Sequence, residues 1–230
     1  MGIVRANISR PIRIAMSFRA LSRFLILTLA GLLTACAGVS PVSMKEADRA
    51  AIKTVAVEPT VTLPENMFYQ SRGQALAGAI AGPVGALAAS GASTEPKAVL
   101  LNLMKANDIS VQQIVKAEFA RAANARSRMT FSEGAGQPDA SVTLTVNAYG
   151  FLPSPMFGAQ MYPMLNVSAV MKRPDGTVVW QRTRVISTLH GDNDKAYTYE
   201  EYVKSPEMLR EVWVRVAGVL SRVLAGDMES

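Results

Sequence analysis

The sequence predicts an α+β domain: an antiparallel sheet of about four to five strands with three amphipathic helices packed on it. Three observations support this. Apolar residues recur at helical spacing between 96 and 104, 110 and 122, and 206 and 223. They alternate with polar ones between 142 and 148 and again between 165 and 171. Between two such strands, Arg173-Pro174-Asp175-Gly176 has the composition of a tight turn. Strands joined by tight turns pair antiparallel, and amphipathic helices must then bury their stripes on one sheet face.

In chain order, Ile52-Lys53-Thr54-Val55-Ala56-Val57 is rich in β-branched residues and reads as a first strand closed by Pro59. Val61 to Tyr69 continues extended, broken by Pro64. Residues 73–94 carry no charge and are mostly Gly and Ala. Pro96 suits the first turn of a helix with Val99, Leu100, Leu103 and Met104 on one face. A second helix starts near Ser110, where Ser110-x-x-Gln113 fits a capping box ahead of Val111, Ile114, Val115, Phe119 and Ala122. The pattern changes at Met129. Val142, Leu144, Val146 and Ala148 then alternate with Thr143, Thr145 and Asn147, and Leu165, Val167, Ala169 and Met171 repeat the period of two. Thr177 to Ser187 is the returning strand. A polar loop, His190 to Lys204, leads to Ser205-Pro206-Glu207, the start of a helix striped by Leu209, Val212, Trp213, Val216, Leu220 and Val223.

Ahead of this domain, Arg5, Arg10, Arg13, Arg19 and Arg23 stand in a stretch without acids. The uncharged run Phe24 to Leu33 follows, then small residues before Cys36, which together have the three parts of an export signal. Ten residues make ~15 Å of helix, about half the hydrocarbon thickness, too short for a permanent span. Leu33-Thr34-Ala35-Cys36 resembles the lipobox of bacterial lipoproteins, and Cys36 is the sole cysteine. The resemblance implies diacylglyceryl transfer to the Cys36 sulfur, cleavage between Ala35 and Cys36, and acylation of the new N-terminus with a fatty acid such as palmitate. The plainer alternative is an ordinary secretory signal ending at Thr34-Ala35 beside an incidental cysteine. Met16-Ser17-Phe18-Arg19 opens a shorter signal, so Met16 is a candidate start. Ala37 follows the cysteine where inner-membrane lipoproteins commonly carry aspartate. Resemblance to that sorting rule implies the outer membrane of a Gram-negative cell, with the domain facing the periplasm. The expected organisation is a signal peptide at 1–35, a lipidated tether at 36–50 and one periplasmic domain at 51–230.

The formal net charge of +6 points toward nucleic acid, but the signal supplies most of it. Of 24 Lys and Arg, five precede Cys36, which leaves 19 against 18 acids in the mature chain. No basic field remains to attract phosphates, so a nucleic-acid partner is not expected. The mature 195 residues suffice for one well-cored domain. A single cysteine excludes a disulfide framework and a thiolate metal site.

Catalytic constellations are also missing from the sequence. His190 is the one histidine, between Leu189 and Gly191, and no G-x-S-x-G accompanies it. His190 with Asp192 and Asp194 makes a poor cation cage and reads better as a hydrated turn. No cofactor, metal or enzyme activity is expected. The loop Pro153 to Met164 holds Met156, Met161 and Met164 beside Phe157 and Tyr162. Such residues suit core packing or a partner surface, and thioethers also suit Cu(I). Tyr197, Tyr199 and Tyr202 form a second aromatic group, fit for an interface or for capping the sheet edge. In 73–94, Gly78-x-x-x-Gly82 permits close helix approach, which suits membrane contact or self-association, while Pro83 and Gly85 break a single span. The plainer reading of that stretch is a flexible or helical small-residue segment, packed on the domain or left mobile.

The strand Thr54-Val55-Ala56-Val57 and the hairpin around Val179-Trp180-Gln181 resemble the small α/β domain of periplasmic accessory lipoproteins. Examples are the outer-membrane activators of penicillin-binding proteins and the N-terminal domain of the Tol translocation protein. The resemblance transfers no functional residue. It implies a non-enzymatic accessory, binding or assembly factor, anchored to the membrane through Cys36 and meeting an envelope protein. The alternative is a membrane-inserting oligomer that uses residues 73–94.

Overall fold

The computed structural model describes residues 40–70, 95–134, 136–155 and 158–229. In chain order these form α1 (Glu46–Ala51), β1 (Thr54–Val57), β2 (Phe68–Tyr69), α2 (Glu95–Ala106), α3 (Val111–Arg126) and β3 (Thr130–Ser132). There follow β4 (Ala140–Pro153), β5 (Gln160–Lys172), β6 (Val178–Ile186), β7 (Tyr197–Thr198), α4 (Tyr199–Lys204) and α5 (Pro206–Glu229).

The class is α+β, but among the described residues the sheet is mixed and has seven strands rather than four to five antiparallel ones. Strand β4 organises it. On one edge it pairs antiparallel with β5, which pairs antiparallel with β6 and β7. On the other edge it receives short parallel pieces in succession. Strand β1 lies against Ala140–Val142, Thr62 bridges Thr145, and β2 lies against Gly150–Phe151. Strand β3 adds outside β1, also parallel. The physical reason is connectivity. After β1, the Thr62 bridge and β2, the chain passes through α2 and α3 before it returns to the sheet at β3 and β4, and parallel neighbours need such a crossover. Pro59 and Pro64 lack the N–H that a continuous ladder requires, so the expected extended run from Val61 becomes one bridge and a two-residue strand.

Helices α3 and α5 pack together, and α5 lies along β5 and β6. The alternation places Val142, Leu144 and Val146 in the core, but Ala148 is only half-buried. A bulge between Val146 and Ala148 inserts Asn147, so the inward parity passes to Tyr149 and Phe151. Both rings then meet Trp213 of α5, with centroids at 5.9 and 5.2 Å. Four of the five expected stripe positions of α3, Val111, Val115, Phe119 and Ala122, are buried, while Ile114 is packed part-buried at the core margin. Ser110 caps α3 by accepting from the Gln113 N–H. On α2 the stripe is narrower than expected: Leu100 and Met104 are buried, whereas Val99 is exposed. The hairpin turn forms as read, with the Gly176 N–H donating to the Arg173 carbonyl and a positive φ at Gly176.

Gly150 marks where β2 meets β4. A Cβ there would overlap the Phe68 carbonyl, so β2 docks only on a residue without a side chain. Gly150→Ala is therefore expected to destabilise by about 1–3 kcal/mol. It should also speed amide exchange at Gln70, whose N–H donates to the Phe151 carbonyl. An unchanged urea midpoint together with unchanged exchange would contradict this docking.

Candidate functional site

Residues 40–50, assigned to the tether from sequence, are already held by the fold. Val42 and Gln181 exchange both backbone hydrogen bonds, at 3.0 and 2.9 Å, so the incoming chain pairs antiparallel with the free edge of β6. The Gln181 amide donates to the Ser40 carbonyl and the Arg182 guanidinium to the Ser43 hydroxyl, both at 2.8 Å. Met44 is buried, and Asp48 of α1 is paired with Arg173 beside the β5–β6 turn. Val42 and Met44, two apart, carry the period-two signal that could have shown this. The free edge of β6 thus has its backbone groups occupied where the chain enters.

The tyrosine group lies where β5 begins. Strand β7 pairs with Gln160–Met161, and Thr198 and Glu201 form a full capping box that opens α4. The expected polar loop 190–204 therefore contains a strand and a helix. Within it, Tyr202 is fully buried, and its hydroxyl donates to the Met161 carbonyl at 2.7 Å. Its ring meets Phe151 at 4.9 Å and Tyr197 at 5.8 Å. Burial pushes its phenol well above the usual range. Met161 is buried as well. These two residues belong to the core and are not contact surface: the short α4 turns Tyr202 inward, and the parity of β5 puts Met161 on the helix side. Tyr162, Tyr197 and Tyr199 are half-buried. The Tyr197 hydroxyl donates to Glu211 of α5 at 2.7 Å, and Lys195 pairs with the same carboxylate at 3.1 Å. Those two donors hold the Glu211 carboxyl below its ordinary value. Tyr199 stands edge-on to Tyr69 at 6.4 Å. Capping the sheet edge is what these rings do, and they leave a partly exposed aromatic corner.

Away from the helices, the middle of the sheet carries a polar chain. The Asn147 amide donates to Asn166 at 3.0 Å and to the Ser168 hydroxyl at 2.7 Å, and Ser168 meets Thr183 at 2.7 Å. The bulge that turns Tyr149 inward is what presents Asn147 here. A cleft of ≈ 850 Å³ opens between Ile52, Pro138, Asp139 and Arg173. Its charged groups serve the fold: Asp139 accepts from the Lys53 and Thr54 N–H groups, which holds its carboxyl below the ordinary value, and Arg173 pairs with Asp48.

His190 is exposed, with its backbone N–H on the Ser187 carbonyl at 3.2 Å. Asp194 is held bidentate by Arg215 at 3.0 and 3.0 Å and so is committed to an ion pair. Among the described residues no group of three His, Cys, Asp or Glu is arranged to hold a metal, and no helix is long and apolar enough to cross a membrane. Ala35, Cys36, Gly78, Gly82, Met156 and Phe157 lie outside the described residues.

No family model and no curated protein matches the chain. It is similar to solved structures of bacterial proteins, several of them named lipoproteins. One is the PelC dodecamer from Paraburkholderia phytofirmans, at 12% identity over 80% of this chain and 95% of that one, with a TM-score of 0.36. A protein from Xanthomonas campestris gives 9% identity over 80% and 88%, with a TM-score of 0.41. A minor lipoprotein from Acinetobacter baumannii gives 12% identity over 77% and 93%, with a TM-score of 0.32. Likeness at these scores carries neither activity nor partner to this chain.

Proposed function

We propose that the chain is an outer-membrane lipoprotein, lipidated on Cys36, whose periplasm-facing domain is a non-enzymatic accessory or assembly factor for an envelope protein. The observation that carries the reading is Leu33-Thr34-Ala35-Cys36 at the end of an uncharged run too short to span a bilayer. Two structural features support it. The chain is already hydrogen-bonded to β6 at Ser40, four residues after Cys36 in the sequence. The ionisable groups that the sequence offered for chemistry are engaged in the fold or stand alone: Asp194 is bound by Arg215, and His190 projects from a turn. The half-exposed tyrosines at 162, 197 and 199 provide the amphipathic rings that protein interfaces favour.

Crosslinking in intact cells, with the crosslinker placed at Tyr162 or Tyr199, tests the role. The expected product joins the chain to a different envelope protein, and the detergent-extracted protein without that partner is monomeric. Crosslinks solely between copies of the chain, together with a ring-sized assembly in detergent, would replace this reading with the inserting oligomer.

A further inference from the structure

The corner between α2 and α3 is tied down from several sides. Asp108 takes a left-handed backbone, with a φ of 50°, and the Ile109 N–H reaches back to the Met104 carbonyl at 2.9 Å. This closes α2 and drops Ile109 into the core. Ser110 then caps α3. From α5, the Arg210 guanidinium donates to the Asn107 carbonyl at 2.7 Å and to the Asp108 carbonyl at 3.4 Å. A corner held in this way keeps its shape without a ligand.

Between this corner and the segment ahead of β2 lies a cavity of ≈ 340 Å³. Leu63, Leu101, Met104 and Ile109 give it apolar walls. Tyr149 lines it from the sheet, because the bulge at Asn147 turns position 149 toward the helices. At the rim stand the exposed Gln113 and the half-buried Gln112. The Tyr149 ring is packed against Trp213, but its hydroxyl is not matched. The residue is 3% exposed, and among the described residues nothing hydrogen-bonds that hydroxyl. Burial pushes the phenol up, so it stays an O–H donor. A buried phenol ordinarily finds a partner, and these walls supply none.

An apolar space with one unmatched donor selects a ring that carries an acceptor at its tip. The volume lies at the small end of ligand pockets, which span about 300–1,000 Å³, and suits a single ring. Met104 offers a thioether to the face or edge of that ring. The glutamine amides at the rim both donate and accept, as a peptide backbone requires. A tyrosine side chain on a polypeptide meets all of these conditions, whereas a phenylalanine leaves the Tyr149 hydroxyl unpaired. We infer that the cavity between the α2–α3 corner and β4 is an anchor pocket for a tyrosine of the envelope partner, whose phenol oxygen accepts from Tyr149. The inference rests on the accessory reading above and adds a second contact to the aromatic corner.

The test uses the full lipidated protein in detergent, with isotope-labelled methionine methyl groups and the Met104 resonance as the reporter. The probes are N-acetyl-tyrosine amide and N-acetyl-phenylalanine amide. Both are expected to shift Met104 saturably, the tyrosine probe binding about three- to tenfold more tightly, the factor that one net hydrogen bond supplies. In Tyr149→Phe that preference should vanish while the urea midpoint is not lowered, since the lost hydroxyl had no partner in the fold. Absence of a saturable shift, equal binding of the two probes to the unsubstituted protein, a preference that survives Tyr149→Phe, or a lowered midpoint in that variant would each overturn the pocket. In cells, Leu101→Trp, which narrows the cavity, should abolish the crosslink from Tyr199 to the envelope partner. A crosslink retained at full yield would overturn the pocket and leave the accessory reading standing. No crosslink to another protein from the unsubstituted chain would remove that reading and the inference with it.

Discussion

Trp213→Ala is expected to cost the domain about 3–5 kcal/mol, because removing a buried indole forfeits its transfer energy and leaves a cavity that neighbours fill only in part. Trp213 is 1% exposed and stands between Tyr149 and Phe151, where the long helix crosses the post-bulge end of β4. Its loss unpacks both rings at once, and through Phe151 also Tyr202. A domain of ordinary stability, about 5–15 kcal/mol, keeps only part of its margin after such a loss. With a urea slope of about 2 kcal/mol per molar, the midpoint should fall by roughly 2 M. Val214→Ala, on the partly exposed face of the same helix, should move it by no more than about 0.3 M. Equal shifts for the two variants would mean that α5 does not pack through Trp213.

Why this helix was readable from sequence, while the sheet was only half so, follows from where each signal lies. The Leu209, Val212, Trp213, Val216 and Leu220 stripe and its Ser205-Pro206-Glu207 start are local, and the structure has Ser205 accepting from the Met208 N–H. The β5–β6 hairpin was equally local, its register set by four turn residues. Parallel pairing is not local. Nothing within Thr54–Val57 states that its neighbours will be Thr130–Ser132 and Ala140–Val142, more than seventy residues away. The bulge at Asn147 was hidden for a similar reason. Alternation read straight through to Ala148, and only pairing with Val167 and Asn166 shows the extra residue. Two-residue strands such as Phe68–Tyr69 and Tyr197–Thr198 have no periodicity to detect. The capping box Thr198-x-x-Glu201 was present in the sequence but stood inside a stretch read as polar loop.

The candidate contact residues divided on the same principle. Tyr197, Tyr199 and Tyr202 are alike in composition, and only the direction of α4 decides that Tyr202 fills the core while the other two stay half-exposed. Met161 was assigned to a loop, yet it is the second residue of β5 and faces the helices. The tether was overestimated because Val42 and Met44 are too few to make a pattern, although they are enough to hold the chain to β6.

Cys36→Ala is expected to have the largest effect on where the protein is found. One acyl chain holds a protein to a membrane only marginally, whereas the diacylglyceryl and N-acyl groups implied at Cys36 supply three. Without the thiol no thioether forms. The protein should lose all fatty-acid label and should disappear from the outer-membrane fraction, with the domain still folded. Label persisting on the variant would show that the lipid is carried elsewhere.

The most direct measurement of the central claim is the intact mass and N-terminal fragment mass of the unsubstituted protein extracted from membranes in detergent. The account predicts a chain that starts at Cys36, heavier than its peptide by one diacylglyceryl and one acyl group, with both additions on the Cys36 fragment. A chain that begins at another residue, or a Cys36 fragment at its unmodified mass with a free thiol, would contradict it.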